Sequence, residues 1–452
     1  MHDIEQDFAH FEEARRREAG GFFANNAPAF AARAPGRLDV MGGFADYSGG
    51  LVAEMPIAAA AVCAAQRDDA SGGAVVVRSA NAAPEGLVTE VTLPAEVFVN
   101  PVSLLKHLLD GPSTERWAGY VAGCLALLRS EGLVPRGAGA RLLVRSDVPL
   151  GAGVSSSAAV EVASMRALCA AFGVPLSGVA LARLCQRVEH EIMDAPCGIM
   201  DQVTSTLGEA GKLLLLLCQP HDVRGTVALP EGWSVFGLDS GVKHSVGGNA
   251  YVRTRVAAFM GYKMLADATG KGFGGYLCNV TPEQYRETFP DGLPEAMEGS
   301  RFLARHGGIF DSVTTVEPGV TYPVRAAAEH AIFEMRRVHA FVEALRDGGE
   351  AAMAGAGRCM GEAHASYSAC GMGSEETDLL AGLAAARDDV AGAKITGGGS
   401  GGTVCVLCRA DAEERVADEV AAAYLDRTGI APRVIRGTSS GAMATDVRRI
   451  GF

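Results

Sequence analysis

The sequence has few aromatic residues, few charged residues and no long apolar run. Aromatic residues make up 6% of the 452 residues, charged residues 21% and hydrophobic residues 48%, which is the composition of a globular protein. The longest apolar stretch, residues 56–65, is far shorter than the ~20 residues of a membrane helix. The acidic N-terminus also lacks the apolar core of a signal peptide. These absences predict a cytoplasmic protein that does not cross a membrane.

Basic residues are also fewer than acidic residues. The chain has 40 Lys and Arg against 53 Asp and Glu, a formal net charge of -13. Nucleic acids and anionic membranes need clustered basic residues, so neither is expected as a partner. The 11 cysteines, an odd number, follow no secreted framework and are predicted to be reduced thiols. Cys405 and Cys408 form a C-x-x-C pattern inside an apolar run, and we interpret them as buried strand positions rather than metal ligands.

The length predicts two domains, which we place at residues 1–225 and 226–452. A composition shift after the apolar run at 213–218 predicts a linker at 219–232. In the C-terminal part, the order strand, helix, helix, strand suits an α+β sandwich, and Asp411 is a candidate cap for the last helix. Residues 270–325 give the weakest secondary-structure signal.

Residues 148–159 read V-P-L-G-A-G-V-S-S-S-A-A, a glycine turn between a predicted strand and a predicted helix. Such a turn aims free backbone N–H groups and the helix dipole at one point, where an anion can be held without a lysine. The serines can cap the helix and offer a hydroxyl to a metal. A capped helix after an ordinary turn is the structural alternative for this segment taken alone.

Two carboxylates follow this turn, Glu189 and Asp201. Glu189 lies at the edge of the apolar stripe of a helix predicted at 179–192, so its carboxylate should be partly desolvated. One such carboxylate can ligate a metal and the other can accept a proton, although each alone could be a structural charge.

Several segments, in order, resemble the galactokinase family of GHMP kinases. Residues 35–50 read P-G-R-L-D-V-M-G-G-F-A-D-Y-S-G-G and resemble the galactokinase sugar signature P-G-R-V-N-L-I-G-E-H-T-D-Y-N-G-G. The glycine turn resembles the GHMP phosphate loop, and the carboxylates lie in C-Q-R-V-E-H and P-C-G-I-M-D-Q, which resemble two further family segments. Weaker resemblances are carried by residues 117–120, 239–251 and 394–402. The third glycine motif, 394–402, is expected to pack against the phosphate loop.

The resemblance implies an α+β, two-domain GHMP kinase fold with the active site between the domains. Its N-terminal domain would be a ribosomal-protein-S5-like α/β domain with a left-handed β-α-β unit, and its C-terminal domain a ferredoxin-like α/β sandwich. The implied cofactors are ATP and Mg²⁺, and the implied partners are a small sugar and ATP. Monomer and dimer are left undecided.

The resemblance also implies roles for individual residues. Asp201 would face the anomeric hydroxyl with Arg37 beside it as the catalytic pair, and Ser157 and Glu189 would ligate Mg²⁺. The implied sugar-binding residues are Arg37, Gly43, Phe44, Asp46, Tyr47, Gly198, Asp201 and Tyr251. The implied ATP-binding residues are Trp117, Gly151, Ala152, Gly153, Val154, Ser155, Ser156 and Ser157.

The first motif departs from the family at Gly43 and Phe44, where galactokinases carry Glu-His, the pair that grips the exocyclic hydroxymethyl of the sugar. A phenyl ring there would leave that hydroxyl unpaired, at ~1–3 kcal/mol, whereas a pentose presents a bare CH₂. We therefore expect L-arabinose, converted to L-arabinose 1-phosphate. Segments 239–251, 306–315 and 322–325 also look closer to L-arabinokinases. The alternatives are a galactokinase, a galacturonokinase, which is disfavoured because no basic residue replaces the pair, and a non-catalytic sugar sensor.

Overall fold

The computed structural model describes residues 2–24, 27–242, 249–399 and 401–451. Residues 243–248, within the segment 239–251, and Ser400 of the third glycine motif lie outside these ranges.

The strands in the described ranges are β1 (Ala29–Met41), β2 (Leu51–Arg67), β3 (Val75–Ser79), β4 (Glu90–Leu93), β5 (Ala140–Ser146), β6 (Lys212–Leu217), β7 (Asp222–Ala228), β8 (Trp233–Asp239), β9 (Met297–Glu298), β10 (Thr321–Tyr322), β11 (Val390–Ile395), β12 (Thr403–Arg409), β13 (Arg433–Ile435) and β14 (Arg448–Ile450). The helices are α1 (Ile4–Glu18), α2 (Pro101–Asp110), α3 (Ala118–Ser130), α4 (Ser156–Phe172), α5 (Gly178–Glu191), α6 (Met200–Leu207), α7 (Asn249–Thr269), α8 (Pro282–Thr288), α9 (Gly299–His306), α10 (Val324–Asp347), α11 (Glu350–Ala369), α12 (Glu375–Ala385) and α13 (Glu413–Thr428).

The first sheet has the order β14-β1-β2-β5-β3-β4, with β6 on β2 and β7 on β6. The 17-residue strand β2 pairs with β6 through its first residues and with β5 through its last ones. Helix α4 packs against β1 and β2, and its apolar residues join α3, α5 and the sheet in the largest core cluster. This sheet places Arg37 of β1 beside Glu54 of β2.

The second sheet has the order β11-β12-β8-β13. Helices α12 and α13 share a core cluster with it, and α11 packs on β11. A third cluster joins α7, α10 and the segment between α8 and α10. This α+β architecture agrees with the expected fold class.

Two details of the predicted organisation are wrong. The linker predicted at 219–232 contains β7, a mostly exposed strand whose polar surface gives no apolar pattern. Asp411 does not cap the last helix, which begins at Glu413 with Ala412 as N-cap and no side-chain cap. In addition, the final strand β14, which the sequence did not predict, pairs with β1 in the first sheet. The division at residues 225 and 226 stays a prediction, although β7 crosses it.

The cysteines agree with the expectation of reduced thiols. All 11 are free in the described ranges, and Cys405 and Cys408 are buried in β12. Within the same ranges, no helix combines the length and the apolar character that a membrane crossing requires.

Candidate active site

The glycine turn between β5 and α4 forms a cradle of backbone groups. Gly151 and Gly153 have φ of 71° and 74°, and Ser155 has φ of 59°, a left-handed conformation that is uncommon for serine. Ser155 occupies the N-cap position of α4, but its side chain caps nothing, so the predicted serine cap is wrong there. Its Oγ is buried without a hydrogen-bond partner in the described structure. Free N–H groups at a helix start and an orphan hydroxyl fit a bound phosphate.

The third glycine motif packs against this turn, as expected. A Cβ on Gly397 would lie 2.5 Å from Gly153 O, and one on Gly402 would lie 2.8 Å from Ala152 O. Thr403 Oγ1 donates a hydrogen bond to Ala152 O at 2.8 Å. Ala152 and Val154 are buried, so neither side chain can reach a ligand. The two glycine segments therefore form one wall.

Arg37 joins the glycine turn to Asp201. Its Nε and Nη2 donate to Asp201 Oδ1 at 2.9 and 2.6 Å, and its Nη1 donates to Gly153 O at 2.7 Å. Arg37 is buried, which by itself lowers its pKa, but Asp201 and then Glu54 raise the pKa of Arg37 above its ordinary value. Asp201 lies in the first turn of α6, where the helix dipole favours its charge. A buried cation thus fixes one oxygen of a partly exposed carboxylate.

Glu189 ends up buried in the last turn of α5, as its position at the edge of the apolar stripe predicted. Burial, partly offset by a hydrogen bond from Ser157, raises the pKa of Glu189 to about 7, and the charge of Asp201 adds to the rise. The described residues contain no group of three His, Cys, Asp or Glu side chains that could hold a metal alone. Ser157 and Glu189 therefore fit Mg²⁺ only together with phosphate oxygens, which is how Mg²⁺ is commonly bound beside nucleotides.

Two buried carboxylates behind the site were missed from the sequence. Glu54 Oε2 lies 3.2 Å from Arg37 Nε, and burial and Asp39 raise the pKa of Glu54 well above its ordinary value. Glu161 on α4 is fully buried, and burial and then Glu189 raise its pKa in the same way. The sequence signal that could have identified each of them is a single acidic residue inside an otherwise apolar strand or helix.

A second group of predicted residues surrounds Asp46. Its Oδ1 accepts a hydrogen bond from Tyr47 N at 2.9 Å, and a Cβ on Gly198 would lie 1.5 Å from its Oδ2. Only glycine at 198 allows this approach. Burial and then the nearby Asp201 raise the pKa of Asp46 to about 6. The rings of Tyr47 and Tyr251 meet edge to face at 6.0 Å. Asp46, Tyr47, Gly198 and Tyr251 are thus brought together beside Asp201.

Gly43 and Phe44 lie in an aromatic cluster that the sequence did not predict. The Phe44 ring is buried, stacks on His330 at 4.0 Å and meets Tyr367 edge to face at 4.5 Å. A Cβ on Gly43 would lie 1.8 Å from Tyr367 Oη and 2.0 Å from Asp39 Oδ2. The space that a side chain at 43 would need is already filled.

One cavity of about 600 Å³ connects the glycine turn to Arg37 and Asp201. Trp117 lies on its wall and is held by a hydrogen bond from its Nε1 to Val88 O at 2.9 Å. The residues of the two predicted sites that line the cavity are Arg37, Trp117, Gly151, Gly153, Ser155, Ser156, Ser157, Glu189 and Asp201. The cavity can therefore hold an extended anionic ligand whose end reaches Asp201.

Comparison with known proteins gives three matching family models. Residues 21–67 match the galactokinase galactose-binding signature, residues 119–209 the GHMP kinases N terminal domain, and residues 353–426 the GHMP kinases C terminal model. Among curated relatives, an L-arabinokinase of Arabidopsis thaliana is 38% identical over 98% of this chain. The chain spans only 49% of that relative. A galactokinase of Chloroflexus aggregans is 32% identical, with 89% of this chain and 90% of the relative covered.

Solved structures show the same architecture. The crystal structure of Lactococcus lactis galactokinase complexed with galactose has a TM-score of 0.73, with 20% identity and coverage of 98% of this chain and 99% of that one. A mevalonate kinase structure has a TM-score of 0.54, with 13% identity and coverage of 91% and 99%. At these sequence identities, the two similarities establish a shared fold and nothing further.

Proposed function

The chain belongs to the galactokinase branch of the GHMP kinases, and on that premise we propose that it transfers phosphate from ATP to the anomeric hydroxyl of L-arabinose. The product is L-arabinose 1-phosphate, and the reaction takes place in the cytoplasm. The observation that carries the proposal is the shared cavity, which joins the phosphate loop and Trp117 to the Arg37–Asp201 pair.

The phosphate loop supports binding of the ATP phosphates. The backbone N–H groups at the start of α4 and the unpartnered Ser155 hydroxyl are donors for phosphate oxygens. Trp117 lines the cavity as well, and its ring packs against the adenine. Ser157 and Glu189, together with phosphate oxygens, would hold Mg²⁺, which would supply positive charge to the transferred group.

Asp201 and Arg37 act on the sugar hydroxyl. The exposed part of the Asp201 carboxylate accepts a hydrogen bond from the anomeric hydroxyl and is placed to receive its proton. Arg37 holds Asp201 Oδ1 at 2.6 Å, which fixes the direction of the carboxylate. The guanidinium also lies beside Gly153 of the phosphate loop, where it stabilises charge on the transferred phosphoryl group.

The corner at Gly43 and Phe44 selects the pentose. Asp46 and Tyr47 bind ring hydroxyls that L-arabinose and D-galactose share, with Gly198 and Tyr251 beside them. A hexose adds a hydroxymethyl, and positions 43 and 44 offer it only an apolar ring and a glycine without a side chain. An unpaired hydroxyl and the extra volume disfavour galactose by ~10–200-fold, which is the discrimination that one such group gives.

Galactokinase is the second candidate, because relatives with that name align with most of the chain at about 30% identity. A non-catalytic sensor is disfavoured because Arg37, Glu189 and Asp201 are all present and line one cavity.

The test is incubation of the protein with ATP, Mg²⁺ and L-arabinose, followed by phosphorus NMR of the product. We expect a phosphate coupled to the anomeric proton and stoichiometric ADP. Phosphate on another hydroxyl would contradict the assigned position, and ADP release without a sugar phosphate would contradict the kinase assignment.

A further inference from the structure

Residues 306–315 contact the sugar site through one buried ion pair, although the proposed function assigns them no role. We propose, on the basis of that function, that Asp311 is a positioning residue: it holds Arg255 against the turn that carries Gly198 and Asp201, and thereby keeps the sugar pocket in its binding shape.

The ion pair is bidentate and enclosed. Arg255 Nε and Nη2 donate to Asp311 Oδ2 and Oδ1 at 2.7 and 2.8 Å. The two side chains are 6% and 3% exposed. Thr314 Oγ1 and Val313 N also donate to Asp311, at 2.6 and 3.1 Å. Four donors therefore fix the direction of this carboxylate.

The remaining nitrogen of Arg255 binds the sugar-site turn. Nη1 donates to Pro196 O at 3.0 Å, two residues before Gly198. The guanidinium also lies over the Tyr47 ring, 5.0 Å from its centroid. Arg255 follows Tyr251 by four residues on α7, so the two side chains share a helix face. Arg255 thus contacts the turn before Gly198 and the Tyr47 ring, and it lies beside Tyr251.

Asp311 also determines which carboxylate forms the ion pair with Arg255. Arg255 is close enough to Asp46 to oppose the rise in the Asp46 pKa. Without the Asp311 charge, a buried Arg255 would lack its partner and would be drawn to Asp46. Asp46 would then be occupied by a cation instead of a sugar hydroxyl, and the Pro196 contact would be lost. Neither Arg255 nor Asp311 lines the cavity, so the part of it formed by the glycine turn and Trp117, away from residues 195–201, should change little.

The experiment measures KM for L-arabinose and for ATP, with thermal melting, in Asp311→Asn, Thr314→Val and a control. The control is Tyr322→Phe, which removes the hydrogen bond from Glu317 N to Tyr322 Oη at 2.9 Å, in the same region but away from the turn. We expect Asp311→Asn to raise the sugar KM roughly 10-fold or more and to change the ATP KM by less than about twofold. Thr314→Val should act in the same direction and more weakly, and Tyr322→Phe should change only the melting temperature.

A sugar KM within about twofold of wild type in folded Asp311→Asn would overturn the proposal, and so would an equal rise in Tyr322→Phe. If Asp311→Asn does not fold, an unchanged sugar KM in Thr314→Val overturns it. A wild-type protein that phosphorylates no sugar would instead contradict the proposed function, so the two failures are distinguishable.

Discussion

Acidification should destabilise this protein through one buried histidine, His330. Its Nε2 lies 3.1 Å from Gly43 O and its Nδ1 lies 2.8 Å from Ser366 Oγ. A carbonyl only accepts, so Nε2 carries the proton and Nδ1 accepts from the serine. A second proton, on Nδ1, would force the serine hydroxyl to accept instead of donate and would place a charge in a buried site.

The size of the effect follows from the shifted pKa. Burial, and then the charge of Arg337, lower the pKa of His330 from 6.5 to about 3. The unfolded chain therefore binds a proton more readily than the folded one, so the stability is complete above pH 6.5 and is lost as the pH falls toward 3. Between pH 7.5 and pH 5, His330 should remove about 2 kcal/mol from the free energy of unfolding.

Urea unfolding of wild type and His330→Gln at the two pH values measures this contribution. The loss between pH 7.5 and pH 5 should be about 2 kcal/mol smaller in the variant. Other groups contribute equally to the pH dependence of both proteins, so their contributions cancel in the comparison. One such group is Asp46, whose raised pKa favours the folded state in acid. His10→Gln, at an exposed position of α1, is the control and should behave as wild type. Equal pH dependence in wild type and His330→Gln would refute the reasoning.

Two further predictions concern the site itself. Asp201→Asn should lower kcat by ~10²–10⁴-fold with little change in the ATP KM, and steady-state kinetics with turnover near wild type would disprove its role. Gly43→Glu with Phe44→His, the galactokinase pair, should destabilise the fold by about 3 kcal/mol, because the new Cβ would lie 1.8 Å from Tyr367 Oη and 2.0 Å from Asp39 Oδ2. The fraction of the double variant that folds should show kcat/KM shifted toward galactose, whereas a double variant that melts like wild type would contradict the crowding at residue 43.

Much of the architecture could be predicted because the helices and most strands carry clear apolar periodicity. The helix expected at 179–192 is observed as Gly178–Glu191, with Glu189 at its buried edge. The strands β7 and β14 were missed for physical reasons. β7 is exposed along most of its length, and β14 has three residues, so neither has a pattern that separates it from a loop.

The motif residues could be named from the sequence, but their surroundings could not. Phe44 is contacted by His330 and Tyr367, which lie far later in the chain. No local sequence pattern predicts such contacts. The same holds for Asp311, which lies in a segment with little secondary-structure signal and reaches Arg255 by folding back. Tertiary packing therefore decides which residues support the site.

The central claim is that the Gly43–Phe44 corner selects a pentose. Its most direct test is kcat/KM for L-arabinose and for D-galactose, measured on one preparation at saturating ATP and Mg²⁺. We predict a value at least ~10-fold higher for L-arabinose. Equal values, or a higher value for D-galactose, would contradict the claim.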